Sequence, residues 1–176
     1  MCVAHKTDQT MKLQQRAWLA PRGLKIPENF PKEIHKYTEV TIVIENVGRE
    51  PAARTNEALI ATNLPLGDYR NAQAVEDLIK KEMMADKDIH MTSCRELSTN
   101  PKGRAIYPGQ PVGAVIGLSK EQTDLALART HFALIAGCLV YETVNSVHYS
   151  EVCSVLEPTN DGNWRSTFCT THTGAN

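Results

Sequence analysis

Between Tyr37 and Asn46 the chain alternates. Val40, Ile42 and Ile44 fall on one side and Thr41, Val43 and Glu45 on the other, the period of two that turns one face of a strand towards a core. Asn-Val-Gly-Arg-Glu-Pro follows as a turn, in which Gly48 tolerates positive φ and Pro51 ends the irregular stretch. A weaker strand over about Arg54 to Thr62 is expected to pair back antiparallel on the first, since so short a link cannot reach a parallel neighbour. Upstream, Arg16–Ala20 predicts a first strand anchored by Trp18. Residues 20–33 hold three prolines and a glycine and predict an extended crossing.

The period changes after Leu64-Pro-Leu-Gly-Asp68. From about Asn71 to Lys87, Val75, Leu78, Ile79 and Met83 form one apolar stripe opposite Glu76, Asp77, Lys80 and Lys81. This helix is expected to lie over an edge or an open end of the strands, and a short strand is expected around Ile89–Ser93. Val112–Leu118 reads as a strand weakened by its glycines. Ser119-Lys-Glu-Gln122 fits a capping box and starts a short helix.

Phe132–Tyr141 is apolar throughout and predicts a buried strand, continued by residues 144–153. A turn-rich loop, Leu156–Asn163, and a closing strand, Trp164–His172, complete the pattern. A loop symmetric about Pro158–Thr159 would set His148 opposite Cys169, whereas a tight turn at Asp161-Gly162 would set Glu151 opposite His172. On either register Val147, Tyr149 and Cys153 share a face with Trp164 and Phe168. That face is expected to be the core, with Cys169 directed away from it.

Composition fits this outline. In 176 residues, 41% are apolar, enough for one domain with a core. The division is a polar arm over 1–15, then a single mainly β, sandwich-type domain over 16–176. It carries an insertion at 64–105 and two helical segments, about 71–87 and 119–130. Nineteen basic residues against twenty acidic ones exclude a general polyanion binder. Residues 1–36 carry seven basic against three acidic side chains, which reads as a solvated arm or as a segment beside a membrane or acidic partner. The basic stretch lacks interleaved aromatics, so no nucleic-acid partner is expected. No run approaches the roughly 18 apolar residues of a membrane span. No secretory h-region or lipoprotein pattern precedes Cys2 or follows it.

Five cysteines leave at least one unpaired within a monomer, and the absence of CxxC excludes a zinc ribbon or a thioredoxin motif. Cys138, Cys153 and Cys169 are candidates for disulfides in an oxidising compartment, or for buried thiols acting as small apolar groups. The sharpest chemical candidate is Cys169-Thr-Thr-His172. A Cys-x-x-His after an aromatic residue at the end of a β domain is similar to a cupredoxin copper loop, with Cys169, His172 and His148 as the ligand set. Against copper, residues 48–53 hold no His, no Met follows His172, and residues three apart on a strand face opposite ways. A Cys/His nucleophile pair such as Cys169 with His148 is conceivable, but five Cys and six His offer such pairs by chance, and there is no GxSxG, HExxH or phosphate-binding glycine loop. No catalytic residue is therefore assigned.

Several short motifs occur in order along residues 15–170. They are Gln15-Arg-Ala-Trp18, residues 40–52, Tyr107-Pro-Gly-Gln110, Leu118-Ser-Lys-Glu-Gln122, Tyr149-Ser-Glu-Val152 and Thr167-Phe-Cys169. With these the chain resembles a group of bacterial proteins in which a membrane segment is followed by an immunoglobulin-like β domain. The resemblance implies an antiparallel immunoglobulin-like β-sandwich in a periplasmic or membrane-anchored setting. It supplies no activity or catalytic residue. This chain shows no membrane segment before Gln15, and residues 64–105 are longer and more helical than the group's pattern. The expected function is a non-catalytic structural or protein-interaction module of the cell envelope, tethered through an upstream segment. Its partner surfaces are the 71–87 helix and the loop Leu156–Asn163. The alternative is a metal or redox site at Cys169, His172 and His148.

Overall fold

The alternation at Val40, Ile42 and Ile44 becomes the centre of a three-stranded sheet. The computed structural model describes residues 17–27, 37–68, 71–85, 94, 103–144, 146–160 and 163–169. Among them run seven strands and two helices: β1 Leu19–Lys25, β2 Tyr37–Asn46, β3 Ala53–Pro65, α1 Ala72–Ala85, β4 Pro111–Ser119, α2 Lys120–Leu127, β5 His131–Glu142, β6 Val147–Pro158 and β7 Trp164–Phe168. One antiparallel sheet has the order β1-β2-β4 and the other β3-β5-β6-β7.

Each sheet contributes to a shared core. Val40, Ile42 and Ile44 of β2, Leu19 of β1 and Leu118 of β4 meet Ile135, Leu139 and Tyr141 of β5 and Leu156 of β6. The opposite face of the four-stranded sheet is buried as well. Leu134, Ala136, Cys138 and Val140 of β5, with Ile60 and Leu64 of β3, pack under Val75, Ile79 and Met83 of α1. This explains the unbroken apolar run of β5: a strand covered on both sides has no solvent face to alternate towards. Each fully buried Leu or Ile stabilises the fold by about 1.5–3 kcal/mol. The helix therefore lies on the outer face of a sheet, where its Val75–Met83 stripe finds apolar cover, and not over an edge or an open end.

Local signals hold. Ser119 Oγ accepts from Gln122 N at 3.2 Å, and Ser119 N donates to Gln122 Oε1 at 2.8 Å, closing the capping box that starts α2. Gln122 Nε2 also donates to Ala61 O at 2.5 Å, so the cap fastens α2 to β3. The 89–93 strand falls outside the described residues.

Three further expectations are corrected. First, β3 does not pair back on β2. The link over 47–52 carries the chain into the second sheet, where β3 pairs with β5, while β2 is already flanked by β1 and β4. Second, the first strand is not Arg16–Ala20 anchored by Trp18. It begins at Leu19 and runs through Pro21 and Gly23, tolerated because β1 is an edge strand with a register shift between those two residues. Ala17 and Leu19 are buried, and Trp18 points out.

The third correction concerns the last hairpin. Pro158 pairs with Trp164 and Ser154 with Phe168, a register one residue from the tight-turn expectation and five from the symmetric one, an odd offset in both cases. A slip of one residue exchanges the faces of a strand. Leu156 and Trp164 therefore belong to the core between the sheets, while Cys153, Tyr149 and Cys169 join the layer under α1.

Ser150 is 2% exposed, and its Oγ has no hydrogen-bond partner among the described residues. It faces the same side of β6 as Val152 and Leu156. An unmatched buried hydroxyl costs about 1–3 kcal/mol. Ser150→Ala is expected to raise the urea unfolding midpoint, by about 1 kcal/mol of stability. A lower midpoint would mean that the hydroxyl is satisfied.

Candidate functional site

β1 begins, β2 ends and β4 begins at one end of the first sheet, through the pairs Leu19–Asn46 and Glu45–Pro111. At the matching end of the second sheet β3 begins, β5 ends and β6 begins, through Ala53–Glu142 and Glu142–Val147. The link 47–52 and an antiparallel bridge between Ala52 and Ile106 join the two. Trp18, the end of β2 with the link after it, and residues 106–109 meet there.

Their meeting point is Asn46, fully buried at the end of the β2 alternation. Its Oδ1 accepts from Trp18 N at 3.1 Å and Gly48 N at 3.0 Å. Its Nδ2 donates to Glu50 O at 2.7 Å and Ile106 O at 3.0 Å. Its main-chain O accepts from Gly109 N at 2.9 Å, and Val47 N donates to Trp18 O at 2.9 Å. One side chain thus satisfies the backbone of three segments that have no ladder of their own. Asn46→Ala is expected to cost about 2–4 kcal/mol, because it leaves the Trp18 and Gly48 amides short of an acceptor. Asn46→Asp also fails to restore stability, since a carboxylate cannot donate to Glu50 O or Ile106 O. Urea unfolding of both variants checks this; a loss below about 0.5 kcal/mol for Asn46→Ala would contradict it.

Asn46 holds an apolar surface in place. Trp18 is 37% exposed, Tyr107 57% and Val144 85%. Val144 stands on the β5–β6 hairpin, closed by Thr143 N and Oγ1 donating to Ser146 O at 2.8 and 3.1 Å. Val47 and Val147 are exposed beside them. Charges at this end are largely paired: Arg22 Nε donates to Glu45 at 2.7 Å, and Arg54 meets Glu142. The hydrogen bond to Glu45 and its charge raise the Arg22 pKa above its ordinary value. Exposed pairs of this kind add little to stability.

Of the expected metal set, Cys169 and His148 are not brought together. Cys169 is disulfide-bonded to Cys153, directly opposite it on the hairpin, with Cα atoms 5.3 Å apart. A sulfur in a disulfide offers no thiolate to copper or to a substrate. His148 pairs with Tyr141 near the other hairpin, its Nε2 2.7 Å from Ser146 Oγ and its ring 5.8 Å from the Tyr141 ring. It stands five residues along β6 from Cys153, about 17 Å at strand rise. His172 lies outside the described residues. Among the described residues no three His, Cys, Asp or Glu side chains cluster so as to hold a metal ion.

Sequence reasoning missed Cys94 as a disulfide partner. It bonds Cys138 with Cα atoms 5.3 Å apart and fixes the chain between α1 and β4 to the sheet under the helix. Its pairing leaves no signal in the sequence, because cysteine connectivity cannot be read from spacing alone. A groove of about 380 Å³ lies between the edges of β3 and β4, walled by Leu59, Ala61 and Ile116 and closed by Glu82, Ser119 and Gln122. The Ser119 and Gln122 side chains are engaged in the α2 cap and on Ala61. Nearby on β3, partial desolvation raises the Glu57 carboxyl above its ordinary pKa, and Arg104 pulls it back. Among the described residues no helix is long and apolar enough to cross a membrane.

Comparison with protein-family models, with curated proteins and with solved structures finds no match for this chain.

Proposed function

We propose that this chain is a non-catalytic module of the bacterial cell envelope, an immunoglobulin-like β-sandwich serving a structural or protein-contact role. The observation that carries the reading is the pair of disulfides, Cys94–Cys138 and Cys153–Cys169, which tie two strands of one sheet to their surroundings. Disulfides inside a domain persist in oxidising compartments and are rare where thiols are kept reduced. The strand order adds support. The first, second and fourth strands face the third, fifth and sixth, as strands A, B and E face C, F and G in immunoglobulin-like domains. β7 is an extra edge strand, and α1 occupies the connection where strand D would run.

Two surfaces suit a protein partner. The outer face of α1 presents Glu76, Lys80 and the exposed Met84. At the far end, the loop after β6 is held by Arg129, whose Nη1 donates to Asn160 Oδ1 at 2.8 Å.

Cell fractionation with thiol alkylation and mass spectrometry tests the reading. Recovery in the envelope fraction with Cys94, Cys138, Cys153 and Cys169 oxidised supports it. Recovery in the cytosol with all four thiols free overturns it.

A further inference from the structure

The two disulfides sit in unlike places. Cys138 is fully buried on β5, an inner strand of the four-stranded sheet, and Cys94 is buried against it in the layer under α1. Cys153 is fully buried on β6, but Cys169 is partly exposed, immediately after the edge strand β7. Of the four bonded cysteines, Cys169 alone meets solvent to more than a marginal extent.

We propose that Cys153–Cys169 is a thiol-exchange site. A dithiol opens it in the folded domain while Cys94–Cys138 stays closed, and its opening releases β7 from β6.

The first support is access. Exchange requires a thiolate to approach one sulfur from the side opposite the other. The Cys153–Cys169 bond crosses from β6 to β7, and among the described residues no strand lies beyond β7. The far side of Cys169 is therefore the edge of the sheet. Cys138 instead is flanked by Ala58 of β3 and Glu151 of β6, with the α1 layer over its face. A thiolate reaches it only after that layer has lifted.

The second support is how β7 is held. None of its five residues is buried. Trp164, next to the turn, rests against the core between the sheets. Away from the turn, Ser154 Oγ donates to Thr167 O at 3.3 Å and Cys169 N to Cys153 O at 3.0 Å. The pair of Arg165 with Glu157 is exposed and adds little. The strand is thus anchored at its turn end, and its other end depends on the disulfide.

The exchange balances as a two-electron transfer. One thiolate of the dithiol bonds to Cys169 Sγ, the disulfide breaks, and Cys153 Sγ leaves as a thiolate that its apolar surroundings drive to take up a proton. The second thiol of the reductant then attacks the reductant's own bound sulfur. Cys169 Sγ departs and is protonated, and the dithiol leaves as a disulfide. The structural output is an open edge on β6, whose residues from Val152 to Leu156 are buried while β7 is in place.

The inference rests on the bond and not on a compartment, so it and the envelope reading fail separately. The oxidised full chain is treated with dithiothreitol over a range of concentrations, without denaturant. Free thiols are alkylated at intervals and located by mass spectrometry. Cys153 and Cys169 are expected to be labelled at least about tenfold faster than Cys94 and Cys138, at a rate that rises with dithiothreitol concentration. In hydrogen exchange, the amides of Arg165–Phe168 should then lose protection by on the order of a hundredfold, while those of α1 and β5 keep theirs. Cys153→Ala with Cys169→Ala should show the same loss without reductant. Cys2→Ser, which removes the fifth thiol as an internal nucleophile, should keep the selectivity of the parent. Labelling of all four cysteines together, or a rate independent of dithiothreitol concentration, overturns the proposal, because the bond then opens only through unfolding. So does selective reduction that leaves β7 as protected as before, or a selectivity lost in Cys2→Ser.

Discussion

Reduction of both disulfides is expected to remove most of the net stability of the domain. Cys94–Cys138 closes a sequence separation of 44 and Cys153–Cys169 one of 16. In the loop-entropy picture these stabilise by about 4 and about 3 kcal/mol. The two loops do not overlap, so the contributions add, and the sum of about 7 kcal/mol is comparable with the 5–15 kcal/mol of a typical domain. The two losses should be felt in different places. β7 is a five-residue edge strand, and Cys169 lies just beyond it, so opening Cys153–Cys169 frees that edge first. Trp164 heads β7 and reports this directly. Opening Cys94–Cys138 releases the chain that follows α1 from the outer face of the sheet and so weakens the helix layer. Urea unfolding followed by tryptophan fluorescence, with and without a phosphine reductant, measures the total. The variants Cys153→Ala with Cys169→Ala, and Cys94→Ala with Cys138→Ala, separate the parts. An unchanged midpoint after all four thiols have been shown to be released would refute the expectation.

What the sequence disclosed was local. The alternation of β2, the apolar stripe of α1 and the Ser119–Gln122 cap each depend on residues within a few positions of one another, and each lies where the pattern sets it. Partner choice was hidden. A link of six residues suits a hairpin and also suits a step between sheets, and only the completed pairing of β2 with β1 and β4 decides for the step. The last hairpin was hidden for a different reason. One residue of register in a turn-rich loop reverses the facing of every β7 side chain relative to β6, so Cys153 and Cys169 become direct partners and His148 is left at the far hairpin. The apolar end had a faint signal. A polar Asn closing an apolar alternation, followed by a turn, suggests a backbone tie, but its burial depends on residues 18 and 106 arriving from far along the chain.

Gly137→Ala is expected to cost more than about 3 kcal/mol, although it adds a single methyl group to a strand of apolar residues. Gly137 lies in β5 between Leu59 of β3 and Val152 of β6, where the four-stranded sheet is covered on both faces. Its φ is +149°, a conformation that glycine adopts readily and L side chains rarely do. A Cβ there would stand 2.0 Å from Ala58 O and 2.9 Å from both Ala58 C and Leu59 Cα. Those atoms are backbone of the paired strand, so relief requires β3 to move away from β5 and the ladder to open. The outer layer would move as well, because Cys138, the next residue, carries the disulfide to Cys94. Gly67→Ala, where nothing lies within 4 Å of the added atom, should unfold within about 0.5 kcal/mol of the parent. Equal urea midpoints for the two variants would show that β5 and β3 are not held so closely. If Gly137→Ala fails to accumulate as folded protein while Gly67→Ala does, the collision is larger than the domain can absorb. Its position would then explain why a glycine interrupts the one strand that is otherwise apolar from Phe132 to Tyr141.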